Sequence, residues 1–475
     1  MNYVIYDFET TGKEARYDQP IQFAAALVDE KFNVLETFNE RCRLRDGVIP
    51  SPKALLITKA QIDSLKNEQS YYELMRKVYH KLQSWSPAIF FGFNNIIFDD
   101  ELLRHNFYQS LLNPYITTSN ENSRVDLWKI TCALAPLELD IIKIPKNSKT
   151  GKNALSLEAL SKENNIEHKL AHDALSDVMA TMELAKIIQE KDPLFWETCL
   201  KARSLKTCAD FLKSEEYFFC APQASSSLKY TPISLLTVNP NDNKELAFFD
   251  LNHDPEQHLE TRVSGITSLI QSRQRVIRII KGNRFPIMLN KDYLKNVDCF
   301  KELANNTLFA ERAKKISSAE NFIENINQSL VDRWEENETS KVPSDNLEEQ
   351  LYGGPRLNPD DQEKIKEFNN STEPITKLKA SSKIDDFRYK QHANRVMYEE
   401  YPDELTTRQK QKHQKIIAEK ALSENKDVKW MTIPKAKKIL DSVKEDEKYQ
   451  KQKDYISQIE DYIKLEENKY KKYCN

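Results

Sequence analysis

The sequence predicts an α/β fold class: a first domain with a mixed central sheet, a small β-rich domain after it, and an α-helical domain at the C-terminal end. Strands and helices alternate over roughly the first 190 residues, which is the pattern of an α/β domain. Short apolar runs broken by turn residues follow, and a Lys/Glu-rich stretch with helical periodicity ends the sequence. A chain of 475 residues is long enough for two or three domains.

Each element of the first domain is predicted from its hydrophobic period. Apolar or alternating runs predict strands at Tyr3–Tyr6, Gln22–Val28, Asn33–Leu44 and Ala88–Phe93. Apolar residues at helical spacing predict helices at Tyr71–Trp85, Asp100–Leu111, Leu155–Asn164 and Ala174–Gln189. A sheet covered by helices is therefore expected.

The rest of the chain is predicted from turn residues and from a helical stripe. Pro/Asn/Asp turns separate three apolar runs that predict strands, which are Ile233–Val238, Leu246–Leu251 and Arg275–Ile280. From Asp361 onwards the sequence is helical in character, with an apolar stripe that contains Ile456, Ile459 and Ile463. We expect domain boundaries at 1–192, 193–345 and 356–475.

Composition excludes several classes of protein. The seven cysteines are scattered and include no Cys-x-x-Cys pair, which argues against a disulfide framework and a structural zinc site. No long apolar run and no basic, apolar leader are present, so we expect a soluble cytoplasmic protein without membrane contact. Because the net charge is only −3, binding of a polyanion would require locally concentrated positive charge and cations at acidic sites.

Two acids, Asp7 and Glu9, stand at the end of the first predicted strand. Side chains at positions i and i+2 of a strand project from the same face, so these two carboxylates would be crowded together. Such crowding is unfavourable unless cations occupy the site. A turn after an edge strand is the structural alternative, and the pair alone does not decide between them.

Three further residues accompany this pair. Asp99 follows an apolar strand at the entrance of a helix, where a helix cap is the alternative role. Asp177 lies in the first turns of the predicted helix that begins near Ala174, and His172 directly precedes that helix. A hydrogen-bonded structural role is the alternative for His172 alone, but the three clusters in this order are hard to obtain by chance.

The clusters together resemble the three exonuclease motifs of the DEDDh superfamily, which here read Asp7-x-Glu9, Asn95-x-x-Phe98-Asp99 and His172-x-x-x-x-Asp177. Within that superfamily the sequence is most similar to the bacterial exodeoxyribonuclease I family, and the further shared segments include Gln22-Phe23-Ala24-Ala25, Asn122-Ser123-Arg124-x-Asp126-Leu127 and Asn165-Ile166-Glu167-His168. The resemblance is strong over the first 190 or so residues and patchy beyond them. It implies an RNase H-like exonuclease domain, an SH3-like middle domain and a helical domain that encloses a strand of nucleic acid.

The resemblance also implies 3′→5′ hydrolysis of single-stranded DNA to 5′-mononucleotides. In-line cleavage of a phosphodiester needs an activated water and a stabilised leaving oxygen, and two Mg²⁺ ions about 3.5–4 Å apart supply both. Mg²⁺ prefers carboxylate oxygens, and Mn²⁺ is expected to substitute for it. Asp7 is expected to bridge the ions, with Glu9, Asp99 and Asp177 as further ligands. His172 is expected to be the general base.

Contacts with the DNA strand are expected from Glu9, Arg104, Tyr115 and Arg124. These residues occupy positions at which the resemblance implies contacts with DNA. Arginine pairs with phosphate and tyrosine stacks on bases. A surface arginine and a packed tyrosine are the alternatives. Ser156 stands where the family has an arginine, and a serine cannot make that phosphate contact.

The helical domain and the partners follow from the same resemblance. Arg388, Lys390 and Arg395, interleaved with Phe387 and Tyr389, are expected channel contacts, and a solvated helix face is the alternative. The resemblance implies a processive, monomeric enzyme of DNA repair and recombination. It also implies binding to the acidic tail of single-strand DNA-binding protein.

Two other functions stay open at this point. The first is another DEDDh nuclease that acts on RNA or in proofreading, although such catalytic domains are usually short and residues 178–475 follow the third motif here. The second is a non-catalytic scaffold that binds nucleic acid. Retention of four carboxylates and a histidine argues against it, because a non-catalytic fold has no need to gather those charges.

Overall fold

The structure is a computed structural model that describes residues 1–168, 172–222 and 229–474. Its first sheet has five strands, which are β1 (Tyr3–Thr10), β2 (Pro20–Val28), β3 (Val34–Arg41), β4 (Ile89–Gly92) and β5 (Ser123–Asp126). They lie in the order β3-β2-β1-β4-β5. β2 is antiparallel to both β1 and β3, whereas β4 runs parallel to β1 and to β5. The predicted mixed sheet is confirmed, and the carboxyl ends of β1, β4 and β5 meet at one edge.

Helices cover both faces of this sheet. Their bounds are α1 (Pro52–Thr58), α2 (Ile62–Leu65), α3 (Tyr71–Ser84), α4 (Asp99–Gln109), α5 (Leu127–Leu134), α6 (Leu157–Glu163), α7 (Ala174–Lys191) and α8 (Pro193–Leu200). Successive side chains of a strand point to opposite faces. Val4 and Tyr6 accordingly pack with α3 and α4, whereas Tyr3 and Ile5 pack with α7 and α8. The odd-numbered face of β1 therefore faces α7.

The sequence does not predict β5 or the helix α5 after it. The four residues of β5 are Ser, Arg, Val and Asp, yet all of them are buried. A short buried strand with three polar residues has no hydrophobic period to reveal it. Asp126 is the last residue of β5 and also caps α5. Its carboxylate accepts a hydrogen bond from the backbone N–H of Trp128 at 3.1 Å.

The middle region is built on a second, wholly antiparallel sheet. Its strands are β6 (Phe218–Cys220), β7 (Thr231–Val238), β8 (Glu245–Asp250), β9 (Ile277–Lys281) and β10 (Met288–Leu289), in the order β10-β6-β7-β8-β9. The surrounding helices are α9 (Leu205–Leu212), α10 (Val263–Gln271), α11 (Lys291–Leu294), α12 (Lys301–Ala304), α13 (Thr307–Ser317) and α14 (Glu320–Ser340). One apolar cluster extends from the first sheet to Leu330 of α14, so the first two regions share a core. The expected domain boundaries stay predictions.

The C-terminal region is helical, as expected. Its helices are α15 (Pro359–Asn370), α16 (Pro374–Lys383), α17 (Phe387–Glu400), α18 (Thr407–Ala421), α19 (Ile433–Glu445) and α20 (Lys453–Cys474). The predicted stripe on α20 is buried and packs in one cluster with Leu55 of α1 and Ile62 of α2. The helical region therefore lies directly against the first domain. Within the described ranges, no helix has the length and apolar character needed to cross a membrane.

Candidate active site

Asp7 and Glu9 lie on the face of β1 that is directed towards α7. In the ladder with β2, Asp7 is opposite Ala24 and Glu9 is opposite Gln22, and the register shifts directly after Glu9. The Glu9 side chain is buried and Asp7 is half-buried. The strand therefore presents two carboxylates, two residues apart, at the edge of the sheet where β4 also ends.

The N-terminal end of α7 brings the third motif to this edge. Ligand atoms of Glu9, His172 and Asp177 all lie within 4.8 Å of one another. His172 is exposed and has a backbone φ of 68°, in the left-handed region that few non-glycine residues adopt. This turn directly precedes α7, and the side chain of His172 is open to solvent. The structure thus brings Glu9 together with two residues that follow it by 163 and 168 positions in the sequence.

Asp173 fixes the position of this helix end. Its carboxylate caps α7 by accepting the backbone N–H of Ser176 at 3.3 Å. The same carboxylate accepts hydrogen bonds from Gln22 Nε2 of β2 at 3.0 Å and from Arg41 Nη2 of β3 at 2.9 Å. Because β2 pairs with β1, these bonds set the distance from α7 to Glu9.

Asp99 reaches the site from the neighbouring parallel strand. It is the first residue of α4 and is only 6% exposed. The loop between β4 and α4 is closed by a hydrogen bond from the Asp100 N–H to the carbonyl of Asn95 at 2.8 Å. The Asp99 carboxylate accepts a hydrogen bond from the backbone of Phe8, between the two acids of β1. All four predicted carboxylates therefore belong to one site.

Burial raises the pKa values of these four carboxyls, and repulsion from the other acids of the site adds to the effect at Asp7 and Glu9. Burial is the largest cause for the pKa of Asp7, which lies well above its usual value, and Asp99 and Asp177 are the next causes. Burial, followed by repulsion from Asp177, raises the pKa of Glu9 to about 8. Burial also raises the pKa of Asp99 to about 8 and raises that of Asp177. Without cations, this site favours protonated carboxyl groups.

Divalent cations would relieve this repulsion, and the donor set fits them. Asp7, Glu9, Asp99 and Asp177 offer oxygen atoms, which are the ligands that Mg²⁺ and Mn²⁺ prefer. Buried carboxylates that repel one another are neutralised either by protons or by metal ions. The residues present therefore fit a divalent metal site.

We expect divalent cations to raise the melting temperature more at pH 8 than at pH 5. Between about pH 4.5 and about pH 8 the folded protein binds more protons at Glu9 than the unfolded chain does, so without cations this group's contribution to stability falls as pH rises. Cations bind the deprotonated form, so their contribution grows over the same range. Thermal unfolding with EDTA or with Mn²⁺ at both pH values measures the difference. Equal shifts at the two pH values would contradict the assignment.

Of the four predicted contacts with the DNA strand, Arg104 and Tyr115 lie together, and Arg104 and Arg124 are both buried. The guanidinium carbon of Arg104 is 5.5 Å from the ring centroid of Tyr115, which is 40% exposed. Arg124 is 5% exposed; it forms an ion pair with Asp100 and donates a hydrogen bond to the carbonyl of Asn283 at 2.8 Å. This geometry favours the structural alternative for Arg124, and its role as a strand contact stays a prediction.

Two residues of the site were not predicted from the sequence. His168 Nε2 lies 2.5 Å from a carboxylate oxygen of Asp177. Asp100 is fully buried and pairs with both Arg104, at 3.0 Å, and Arg124. The only signal for His168 is its place in a segment shared with the family. Asp100 has none, because an acid in the first turn of a helix is common.

Ser156 has a structural role in place of the expected phosphate contact. Its side chain accepts the backbone N–H of Ala159 at 3.3 Å and caps α6. An arginine at this position could not form that cap. The departure from the family pattern therefore replaces a strand contact with a helix N-cap.

Sequence comparison relates the chain to known nucleases. Residues 4–185 match the Exonuclease domain family. Exodeoxyribonuclease I of Buchnera aphidicola from Schizaphis graminum is 36% identical over 220 residues, which is 46% of this chain and 45% of the relative. Exodeoxyribonuclease I of Escherichia coli is 27% identical over 370 residues, 74% of this chain and 76% of the relative. The match thus spans less than half of the first relative and about three quarters of the second.

Comparison of structures extends the similarity to the whole chain. Exonuclease I of Methylocaldum szegediense has a TM-score of 0.82 at 20% identity, with both chains fully covered. E. coli exonuclease I bound to a dA16 oligonucleotide has a TM-score of 0.81 at 21% identity over 98% of this chain and 99% of that one. A structure described as SSB/exonuclease I with an inhibitor also has a TM-score of 0.81, at 21% identity and with the same coverage. All three regions of this chain therefore share one known architecture.

Proposed function

We propose that the chain is a member of the bacterial exodeoxyribonuclease I family that degrades single-stranded DNA from the 3′ end to 5′-mononucleotides. We further propose that it uses two Mg²⁺ ions, which Mn²⁺ can replace. The observation that carries this proposal is the meeting of Asp7, Glu9, Asp99 and Asp177 with His172 at one edge of the sheet. A binding protein without catalysis has no use for four acids whose mutual repulsion disfavours the charged state.

We propose separate tasks for the acids and the histidine. Bound divalent cations would activate the attacking water and stabilise the leaving 3′ oxygen. His172 is exposed at the mouth of the site, where its imidazole can take the proton from that water and pass it to solvent. Asp173 holds the helix end that carries both His172 and Asp177, so the base and a ligand move as one unit.

We propose that the terminal bases of the DNA strand stack on an apolar and aromatic surface near the site. Tyr115 is exposed and stacks over Arg104, and Ile97, two residues before Asp99, is 56% exposed. Bases stack on aromatic and apolar faces regardless of their identity, whereas an arginine beneath such a face attracts phosphate. A surface of this kind suits a single strand, because the bases of a duplex are already stacked on each other.

A connecting segment, residues 341–358, joins α14 to α15 and crosses the first domain at α4. The carbonyl of Glu348 lies 3.0 Å from His105 Nδ1, and the hydroxyl of Tyr352 donates to Glu101 Oε2 at 2.7 Å. These contacts hold the segment beside the helix that begins with Asp99. The connecting segment is thus joined to the first domain at α4.

Buried ion pairs tie the helical region to the same place. Arg45 of the first domain pairs with Glu399 of α17 at 3.0 Å, and Lys420 of α18 pairs with Glu348 of the connecting segment. The carboxylate of Glu349 accepts a hydrogen bond from the Tyr17 hydroxyl at 2.9 Å and pairs with Lys429 at 2.9 Å. A strand held under such a closure cannot leave between successive cuts unless these contacts open. We therefore propose processive digestion.

We expect the Glu349→Ala variant to be less processive than the wild type. Removal of this carboxylate takes away bonds to both Tyr17 and Lys429, so the connecting segment should open more often. The first cut of a bound strand should keep its rate, because no ligand of the cations is changed. Digestion of labelled strands, followed by addition of excess unlabelled DNA, measures the number of nucleotides removed per encounter.

The matched control is Glu363→Ala on α15. Glu363 is exposed and pairs only at 3.7 Å with Lys366 of its own helix, among the contacts of the described residues. Its variant should match the wild type in run length. If Glu349→Ala is folded and equally processive, the connecting segment is not a closure of the channel.

We also propose a partner and a location for the protein. Because one similar structure is described as SSB/exonuclease I, we propose single-strand DNA-binding protein as a partner through its acidic tail. We also propose a monomer that acts in the cytoplasm during DNA repair and recombination. Gel filtration with and without that partner tests the first two of these proposals.

The test of substrate class separates this function from its rivals. Purified protein is offered 5′-labelled single-stranded DNA, duplex DNA and RNA, each with EDTA, Mg²⁺ or Mn²⁺. We expect rapid shortening of single-stranded DNA in the presence of either ion and little attack on the other two substrates. Faster digestion of RNA would favour another DEDDh nuclease, and absence of cleavage in all conditions would favour the scaffold.

A further inference from the structure

Three consecutive acids at the start of α4 have three different environments. Asp99 points into the carboxylate site, whereas Asp100 is fully buried on the other side of the turn and pairs with Arg104 and Arg124. Glu101 lies at the outer edge, where its two oxygens bind residues from different regions. Asp99, Asp100 and Glu101 are adjacent in one helix turn. Contacts that hold Asp100 and Glu101 therefore also set the position of Asp99.

Arg284 is the middle-domain residue that contacts this turn. One guanidinium nitrogen, Nη1, donates to the carbonyl of Ile96 at 3.1 Å, in the loop before Asp99. The other, Nη2, lies 3.1 Å from Oε1 of Glu101, two residues after Asp99. A single planar side chain therefore spans the chain on both sides of a predicted metal ligand.

The turn that carries Arg284 is itself held by the first domain. The carbonyl of Asn283 accepts a hydrogen bond from Arg124 at 2.8 Å, and the carbonyl of Arg284 accepts one from Lys129. Arg124 also pairs with Asp100, so the same side chain connects the turn to the helix. Arg284 is thus presented on a fixed backbone and not on a free surface loop.

We infer that Arg284 of the middle domain is a positioning residue for Asp99. This inference rests on the proposed function, because it assigns Asp99 to the cation site. Arg284 holds the loop on one side of Asp99 and the helix turn on the other, so the carboxylate keeps its orientation towards Asp7 without rearrangement. The middle domain then completes the catalytic site in addition to any contact that it makes with the strand.

The direction in which removal of Arg284 changes cation affinity distinguishes a positioning role from a purely electrostatic one. A guanidinium near four acids repels a divalent cation, so its removal would strengthen cation binding if charge were its only contribution. Loss of a group that orients a ligand weakens cation binding, by about 10- to 100-fold for outer-shell partners. Weaker binding after removal of a positive charge therefore has a positional cause.

The experiment measures Mn²⁺ binding to the full-length protein by calorimetry without DNA, alongside cleavage of single-stranded DNA. The variants are Arg284→Ala, Arg284→Lys and, as the matched control, Arg273→Ala, which removes an exposed arginine from the same region. The Asp7→Asn variant identifies the part of the binding signal that belongs to the carboxylate site. Melting temperatures establish that each variant is folded.

We expect Arg284→Ala to raise the Mn²⁺ dissociation constant of the site by about 10-fold. Arg284→Lys should lie between it and the wild type, since a lysine keeps the charge but cannot bridge both partners. Arg273→Ala should bind like the wild type. Unchanged or tighter Mn²⁺ binding in folded Arg284→Ala, or in Arg284→Lys if the alanine variant does not fold, would overturn the inference. A wild type that neither binds Mn²⁺ nor cleaves DNA would instead overturn the proposed function.

Discussion

Replacing Asp7 with asparagine is expected to abolish metal-dependent cleavage, with a loss greater than the 10- to 100-fold that a change in an outer-shell partner typically causes. Burial raises the pKa of the Asp7 carboxyl most, and the neighbouring acids Asp99, Asp177 and Glu9 raise it further. A residue with three acidic neighbours is the natural bridge between two cations, and an asparagine supplies one neutral oxygen in its place.

The same variant should be more stable than the wild type when cations are absent. The asparagine removes one carboxylate from a cluster whose charged form is already disfavoured by burial and repulsion. In EDTA at pH values above 7, the melting temperature of the variant should therefore be higher than that of the wild type. The matched control is Asp140→Asn, an exposed acid of the same domain, which should change neither property. Cleavage by Asp7→Asn at the wild-type rate would refute the metal assignment.

Replacing His172 with asparagine is expected to lower turnover by about 10²–10⁴-fold, the usual contribution of a positioned general base. Asparagine is the chosen replacement because His172 has a φ of 68°, and asparagine tolerates the left-handed region better than most residues. Strand binding and Mn²⁺ affinity should change little. His80→Asn, an exposed histidine on α3, is the matched control.

Binding and turnover must be measured separately for this variant. If strand binding collapses while bound strands are cut at the normal rate, His172 holds the substrate and is not the base. If Mn²⁺ affinity falls strongly instead, the imidazole is a ligand, which its distance to Glu9 and Asp177 would permit. Single-turnover cleavage at saturating Mn²⁺ isolates the chemical step from both alternatives.

Much of the fold follows from hydrophobic period alone. The strands of the first sheet and the stripe on α20 occur where the apolar pattern predicts them, because burial of a strand or helix face requires that pattern. The third strand ends at Arg41 rather than at Leu44. β5 escapes prediction because three of its four buried residues are polar, and one of these, Arg124, is held by an ion pair with Asp100.

The acids of the site could be predicted, but their supporting contacts could not. Asp7 and Glu9 are recognisable because two acids on one strand face are unfavourable without cations. His168 beside Asp177, and Arg284 beside Glu101, are pairs formed by the folded chain across loops or domains. No local pattern of residue types marks such pairs, so they become visible only in three dimensions. The roles assigned to the site residues remain predictions.

The identity of the first nucleotide released tests the central claim most directly. A single-stranded oligonucleotide with one deoxycytidine, placed at its 3′ end, is incubated with full-length protein and Mg²⁺, and the first product is identified by mass spectrometry. The account predicts that 5′-deoxycytidine monophosphate appears first, only with a divalent cation and not with Asp7→Asn. Release of a nucleoside 3′-phosphate, of internal fragments, or of nucleotides from the 5′ end would contradict it.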